Sequence, residues 1–424
     1  MVTRRRLLAA AAATTAALSA CDPDGGATQS GGTAPPLDPS SWPSVREQFA
    51  LAPGVVNMAL FAFASHPATV RAAIEKHRAG LDADPYGFLH ANEPALERAV
   101  ADAAAAYLRT GREQIAFTDS TTMGLGLLYS GLRLRPGDEV LATEHDFYAT
   151  HEALHLRGER DGTTFRKVRL YDEPESAAAE EMVRRLRAAV GARTRVVAVT
   201  WVHSGTGVKL PIRAIADALA EVNRGRAEAD RLLLCVDGVH GFAVEDPTPD
   251  ALGCDFLISG CHKWLFGPRG TGLIWGRAEA WRRFTPVIPT FTGEPDGAPG
   301  PAATPGGYHS FEHRWALAEA FTMRTAIGAT RVAERTRGLV SALKDGLARM
   351  SKVRVRTPRS PEVSSGIVCC EVEGYGAAEA VAQLRGSKIL ASATPYATPY
   401  LRFGPTALND ESEVEATLRA VRAL

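Results

Sequence analysis

LLLCVDGVH at Leu232–His240 and FLISGCHKW at Phe256–Trp264 are the two stretches whose reading decides the fold. Each begins as a short apolar run and ends on polar residues with glycine, the pattern of a buried strand stopping at a turn. A third run, Gly272–Trp275, follows after a gap too short for a crossover helix, so that strand is expected antiparallel to its neighbours. Earlier runs lie at Gln114–Phe117, Glu139–Thr143, Lys167–Leu170 and Arg195–Val202. Between most of them are helical patterns such as Glu180–Val190 and Pro211–Val222, with apolar residues three and four apart. Seven strands alternating with helices predict an α/β fold with a mostly parallel sheet covered on both faces. Ligands of such sheets bind beyond the carboxyl ends of the strands, so the residues that end each run are the candidates for chemistry.

Asp237 ends one run and Lys263 closely follows the next, so both point toward one crevice. Singly, Asp237 before Gly238 is a common turn former, and Lys263 an ordinary solvated lysine. Together at strand ends they form the pair that pyridoxal phosphate (PLP) chemistry requires. The amine condenses with the cofactor aldehyde, and the carboxylate keeps the pyridine nitrogen protonated so that the ring accepts electrons. Asp119-Ser120-Thr121-Thr122-Met123-Gly124 follows the first strand and opens an apolar helix. Backbone N–H groups and hydroxyls at a helix N-terminus suit a phosphate, and the same residues serve as an ordinary N-cap.

These stretches resemble the class V aminotransferase family, fold type I of the PLP enzymes, which includes cysteine desulfurases, kynureninase and isopenicillin N epimerase. The likeness runs from about Val55 to Leu424 and rests on Asp237–His240, Gly260–Lys263 and Thr121–Gly124. It implies a Schiff base at Lys263, Asp237 on the pyridine nitrogen, His240 near the ring hydroxyl, and Thr121, Thr122 and His262 around the phosphate. Within Glu144–Tyr148 the ring-stacking residue is expected to be Phe147, with His145 as second choice. Ser204, after Trp201-Val202-His203, matches the contact to the ring oxygen. Arg402, in Leu401-Arg402-Phe403-Gly404 before Asn409, matches the arginine that grips a substrate carboxylate, a task its planar fork suits. The resemblance also implies an amino-acid substrate and a homodimer.

Departures narrow the branch. Ser387–Leu401 contains no cysteine where desulfurases carry their nucleophile, so persulfide chemistry is not expected. Met123 replaces an acidic residue in the phosphate turn, and Phe311–Trp315 departs from the desulfurase pattern. Val55–Ala59, Ser65-His66-Pro67 and Asp84-Pro85 look most like the isopenicillin N epimerase branch. Transamination, epimerisation and lyase chemistry use the same residues, and the sequence does not choose among them.

After a Gly/Pro-rich segment near Phe291–Gly307, a long helical stretch is expected from about Trp315 to Met350. Short strands at Val353–Arg356, Gly366–Val372, Lys388–Ala393 and Tyr400–Phe403, with helices at Ala377–Leu384 and Glu411–Leu424, then describe a smaller α+β domain. At the other end, Arg4-Arg5-Arg6 precedes a short apolar run that finishes in Leu18-Ser19-Ala20-Cys21, the pattern of a twin-arginine export signal with a lipobox. The expected organisation is a signal at 1–21, a flexible tether at 22–42, a large PLP-binding domain at 43–310 that includes the N-terminal segment, and the smaller domain at 311–424. The protein would sit on the outer side of the cytoplasmic membrane, anchored through Cys21.

The 424 residues carry 48 basic and 48 acidic side chains, a balance that sets nucleic-acid binding aside. The remaining cysteines, 235, 254, 261, 369 and 370, fit no disulfide framework and read as buried thiols. His151-Glu152-Ala153-Leu154-His155 fits the HExxH pattern of zinc proteases, but no third ligand follows, so no metal is expected. A non-catalytic binding protein on the same fold is the other rival; keeping Asp237, Lys263 and Arg402 together argues against it.

Overall fold

The computed structural model describes residues 35–291 and 297–424. The signal, Cys21 and most of the expected tether lie outside the described residues. A two-residue strand, β1 (Val56–Asn57), comes first, followed by the large sheet: β2 (Ile115–Thr118), β3 (Glu139–Thr143), β4 (Thr164–Val168), β5 (Thr194–Thr200), β6 (Leu233–Asp237), β7 (Phe256–Gly260) and β8 (Gly272–Gly276). Their spatial order is β2-β8-β7-β6-β5-β3-β4. β8 pairs antiparallel with both β2 and β7, and every other pairing is parallel, as the short Gly260–Thr271 connection requires.

Strands β5, β6 and β7 are buried along their whole length, which is why they read as continuous apolar runs. Helices Ala179–Ala189 and Ile212–Asn223 bury Met182, Leu186, Ile215 and Leu219 against one face. Thr121–Gly131 and Tyr148–Asp161 bury Leu125, Leu128 and Leu154 against the other. The edge strand β4 is shifted toward the N-terminus of the expected Lys167–Leu170 and shares only Lys167 and Val168 with it. It pairs only with β3, and its exposed Arg166 and Lys167 blur the apolar signal.

The expected single helix after Trp315 is two helices, Phe311–Ile327 and Ala329–Ala348, broken where Gly328 takes φ +90°. The first packs on helices Ala68–Ala83 and Pro85–Leu108 of the large domain. The second packs on β9 (Val353–Val355) and the C-terminal helix Glu411–Arg422. The helices change their packing partners at Gly328.

The smaller sheet continues with β10 (Val368–Val372), β12 (Ser392–Ala393) and β13 (Leu401–Phe403), in the order β12-β13-β10-β9. β11 (Ile389–Leu390) instead pairs parallel with β1. The N-terminal segment is thus stitched to the elements around the smaller sheet: Met58 enters their core, and Arg46 Nη2 meets Glu413 Oε1 at 2.6 Å. Residues 35–40, counted with the tether, are also tied down. Pro35 O accepts from Gln48 Nε2, and the Pro39 and Ser40 carbonyls accept from Arg331. The five described cysteines are buried and unpaired.

Candidate functional site

Strands β6 and β7 lie side by side, so Asp237 and the loop carrying Lys263 emerge at the same edge. Asp237 is buried; its Oδ1 accepts from Val239 N at 3.1 Å, while Oδ2 has no hydrogen-bond partner. Burial pushes its carboxyl up to about 6, against the Val239 N–H and the charge of Lys263. Burial likewise brings Lys263 down to about 8, with Asp237 opposing that shift.

The neighbour of Lys263 Nζ is His240 Nε2, at 3.1 Å. Trp264 Nε1 donates to His240 Nδ1 at 3.3 Å. A neutral imidazole that accepts at Nδ1 carries its proton on Nε2. His240 is held neutral by burial and then by Lys263, so this assignment of the proton turns an N–H toward the lysine and favours the uncharged amine. Trp264, unread in the sequence, thereby helps set the state of the nucleophile.

Thr121 opens the helix that Ser120 caps, and its Oγ1 accepts from Gly260 N at 2.8 Å. A Cβ on Gly260 would lie 3.0 Å from Thr121 Oγ1 and 2.9 Å from His262 Cε1, so the three share one small space beside the lysine loop. Thr122 is exposed on the same first turn.

The loop after β3 is pinned by buried Asp146, which accepts from Thr143 N at 2.6 Å and Thr200 N at 2.7 Å. With Asp146 turned inward, its neighbours diverge. Phe147, the expected stacking ring, is 37% exposed at the start of a helix. His145 is instead half-buried, stacked on Tyr171 with ring centres 3.8 Å apart and planes 7° apart. Tyr171 Oη meets His203 Nδ1 at 2.9 Å and Thr206 Oγ1 at 3.1 Å. His203 and Ser204 sit on a tight loop beyond β5, closed by Leu210 N to Trp201 O and His203 N to Val208 O.

Arg402 reaches this loop from the smaller sheet. Its Nη1 donates to Ser204 O at 3.0 Å and its Nε to Ser392 Oγ at 3.1 Å. The guanidinium lies 5.1 Å above the ring of Phe61, a fully buried residue of the N-terminal segment. Phe61 also stacks on Trp264 at 5.6 Å. Nothing in the sequence separates Phe61 from any other core aromatic, and Tyr171 and Tyr396 were equally silent. Asp237, His240, Lys263, Ser204 and Arg402 therefore gather around one crevice, with Thr121 and His262 beside the lysine.

Cys369 stands near Arg402, but burial pushes its thiol up to about 12, the opposite of an activated nucleophile. His151 spends Nε2 on Thr143 O at 2.8 Å, and exposed His155 faces Glu159. Among the described residues no group of three or more His, Cys, Asp or Glu is placed to hold a metal.

Comparison with known proteins places this geometry. The family model described as Aminotransferase class-V matches residues 91–416. An isopenicillin N epimerase of Streptomyces clavuligerus is 27% identical over 404 residues, covering 91% of this chain and 98% of the relative. A cysteine desulfurase of Klebsiella pneumoniae (strain 342) is 29% identical over 225 residues, 52% of either chain. Among solved structures, a lysine-to-alanine mutant of C-DES with glycine covalently linked to its PLP cofactor superposes with a TM-score of 0.78. It shares 20% identity and covers 89% of this chain and 98% of its own. The apo cysteine desulfurase of Thermococcus onnurineus NA1 gives 0.76 at 20% identity, covering 90% and 97%.

Proposed function

The chain belongs to the class-V aminotransferase family, and from that premise we propose that it is a PLP-dependent enzyme acting on an α-amino acid. The observation that carries the reading is the buried, unpartnered Oδ2 of Asp237 beside a lysine that burial has brought down to about 8. A buried carboxylate oxygen without a donor is costly, and the pyridinium N–H of PLP is the donor that would satisfy it. The residues fit the group: Asp237 at the ring nitrogen, Lys263 for covalent attachment, His240 and Ser204 toward the ring oxygen, and Thr121, Thr122 and His262 toward the phosphate. His145, not Phe147, is the ring we assign to stacking, because it is the more buried of the two and already stacks on Tyr171.

When bound, the cofactor supplies an electron sink for the bonds at the substrate Cα. The chain supplies the rest. Arg402 orients the carboxylate, and Lys263 Nζ takes the proton from Cα. Loss of that proton is common to transamination, epimerisation and lyase chemistry; only epimerisation returns it to Cα. The test is direct: the purified chain should show visible cofactor absorbance that Lys263→Ala abolishes, and a panel of D- and L-amino acids, with and without a keto acid, should be turned over. Tight binding of amino acids without turnover would instead favour a receptor.

We also propose that the enzyme folds and loads its cofactor in the cytoplasm, is exported by the twin-arginine route, and is lipidated at Cys21. A route for folded proteins explains how a cytoplasmic cofactor reaches the outer face. Arg4→Lys with Arg5→Lys should hold the protein in the cytoplasm, and Cys21→Ala should release it from the membrane fraction. A homodimer is the expected assembly, measurable by light scattering.

A further inference from the structure

The loop Thr394–Tyr400 leads into β13 and Arg402. Its stem is closed by Thr394 N to Tyr400 O at 2.9 Å and Tyr400 N to Thr394 Oγ1 at 2.8 Å. Pro395, Ala397, Thr398 and Pro399 are exposed, but Tyr396 turns inward. Its Oη is 2.6 Å from Ser204 Oγ, and its ring fills the space a side chain at Gly205 would need, 2.9 Å from the Cβ position. Ser204 thus joins two groups. Its carbonyl accepts from Arg402 Nη1, and its hydroxyl meets Tyr396.

Those contacts fix Arg402 through Nε and one Nη1 hydrogen, leaving the other Nη hydrogens for a ligand. With Nε committed to Ser392, the guanidinium edge that pairs side-on with both oxygens of a carboxylate is half used. One carboxylate oxygen takes an Nη donor, and a second donor close by would fix the other. The Tyr396 phenol is that neighbour. Burial raises its pKa above the usual phenol range, so it stays protonated and able to donate at neutral pH.

We propose that Tyr396 is a specificity-determining residue that donates its phenolic hydrogen to the substrate α-carboxylate beside Arg402. This rests on the reading that the substrate is an α-amino acid, and it names the second group that recognises it. On binding, the phenol exchanges its neutral partner Ser204 for a charged one, a stronger bond.

The test uses the cofactor-loaded enzyme and α-aminoisobutyrate, which has no Cα proton to lose and so reports binding alone. In Tyr396→Phe the dissociation constant for α-aminoisobutyrate should rise about tenfold to hundredfold, the usual worth of a hydrogen bond to a charged group. KM for a reacting amino acid should rise in parallel while kcat stays within about threefold, as when binding is lost equally in ground and transition states. Alaninamide, which lacks the carboxylate, should bind equally to both proteins. Gly205→Ala keeps the phenol but displaces its ring, and should weaken α-aminoisobutyrate binding in the same direction; it also serves if Tyr396→Phe is unstable. An unchanged dissociation constant in Tyr396→Phe overturns the proposal. So does a fall in kcat at constant binding, which would make the phenol a proton-transfer group. Absence of cofactor absorbance in the unmutated protein would be a failure of the underlying reading, separable from either result.

Discussion

The two ends of the crevice are built differently. At the cofactor end, Asp237, Lys263 and Thr121 stand at or just beyond the ends of β6, β7 and β2, three fully buried strands of the large sheet. At the substrate end, Arg402 comes from the smaller sheet, Tyr396 from an exposed loop, Ser204 from the turn beyond β5, and Phe61 from the N-terminal segment. The first end holds a fixed chemistry. The second is a meeting of separate segments that can change with the substrate while the sheet does not. Substitutions should therefore fall into two classes: those that damage cofactor attachment and rate, and those that shift KM with the cofactor spectrum intact.

The largest effect belongs to Lys263. Lys263→Ala removes both the covalent attachment and the proton carrier, and should lower kcat by at least about 10³-fold with loss of the visible band. Near-normal turnover in that variant would end the division at once. Asp237→Asn should come next, lowering kcat by about 10²–10³-fold through loss of a buried electrostatic partner, while making the apoprotein more stable. The sign follows from the raised pKa. Asp237 favours its protonated form in the fold, so its contribution is fully present below the ordinary value of 3.8 and is lost as pH rises through about 6. Above that pH a charged carboxylate is held in the interior at a cost on the order of 3 kcal/mol, which asparagine avoids. Thermal melts of apoprotein at pH 5 and pH 8 check it: the gain of the Asn variant over the native protein should be clearly larger at the higher pH.

The same division governs what could be read from the chain. A buried parallel strand must be apolar throughout and must stop on a turn, so the runs other than exposed edge strand β4, the antiparallel β8, and the placement of Asp237 with Lys263 were legible. The substrate end depends on which distant segments meet, and local pattern carries no such information. Val56–Asn57 is too short to signal pairing with Ile389–Leu390, and that pairing draws the N-terminal segment and Phe61 toward Arg402. Gly328 looked like one glycine in a helical stretch until its positive φ ended a helix. Between Phe147 and His145, local pattern could not show that Asp146 is turned inward by two backbone N–H groups, which leaves Phe147 more exposed than His145.

Arg402→Lys sharpens the comparison from the other side. It keeps the charge but loses the planar fork, the Ser204 and Ser392 anchors and the stack on Phe61. KM for an amino acid should rise about tenfold to hundredfold, the cost of a charge-assisted hydrogen bond. The absorbance spectrum should match the native one. A shifted spectrum would mean that the two ends are not independent.

Phe61→Leu is the smallest of these effects and probes the seam itself. Its ring carries the Arg402 guanidinium at 5.1 Å, lies against Trp264 at 5.6 Å, and stands 6.0 Å from His240. Trp264 and His240 belong to the lysine's hydrogen-bond chain, so one aromatic ring touches both ends. Leucine keeps most of the apolar volume but has no face for a cation, a loss of about 0.5–2 kcal/mol. KM should therefore rise by roughly twofold to thirtyfold on that account. If the ends are separate, the pH at which the cofactor absorbance changes form stays where the native protein has it. If the ring also holds Trp264 against His240, that pH moves upward. The N–H that His240 turns toward Lys263 is then less firmly set, and the charged amine becomes easier to keep. A spectroscopic titration beside the KM measurement reads both consequences from one variant.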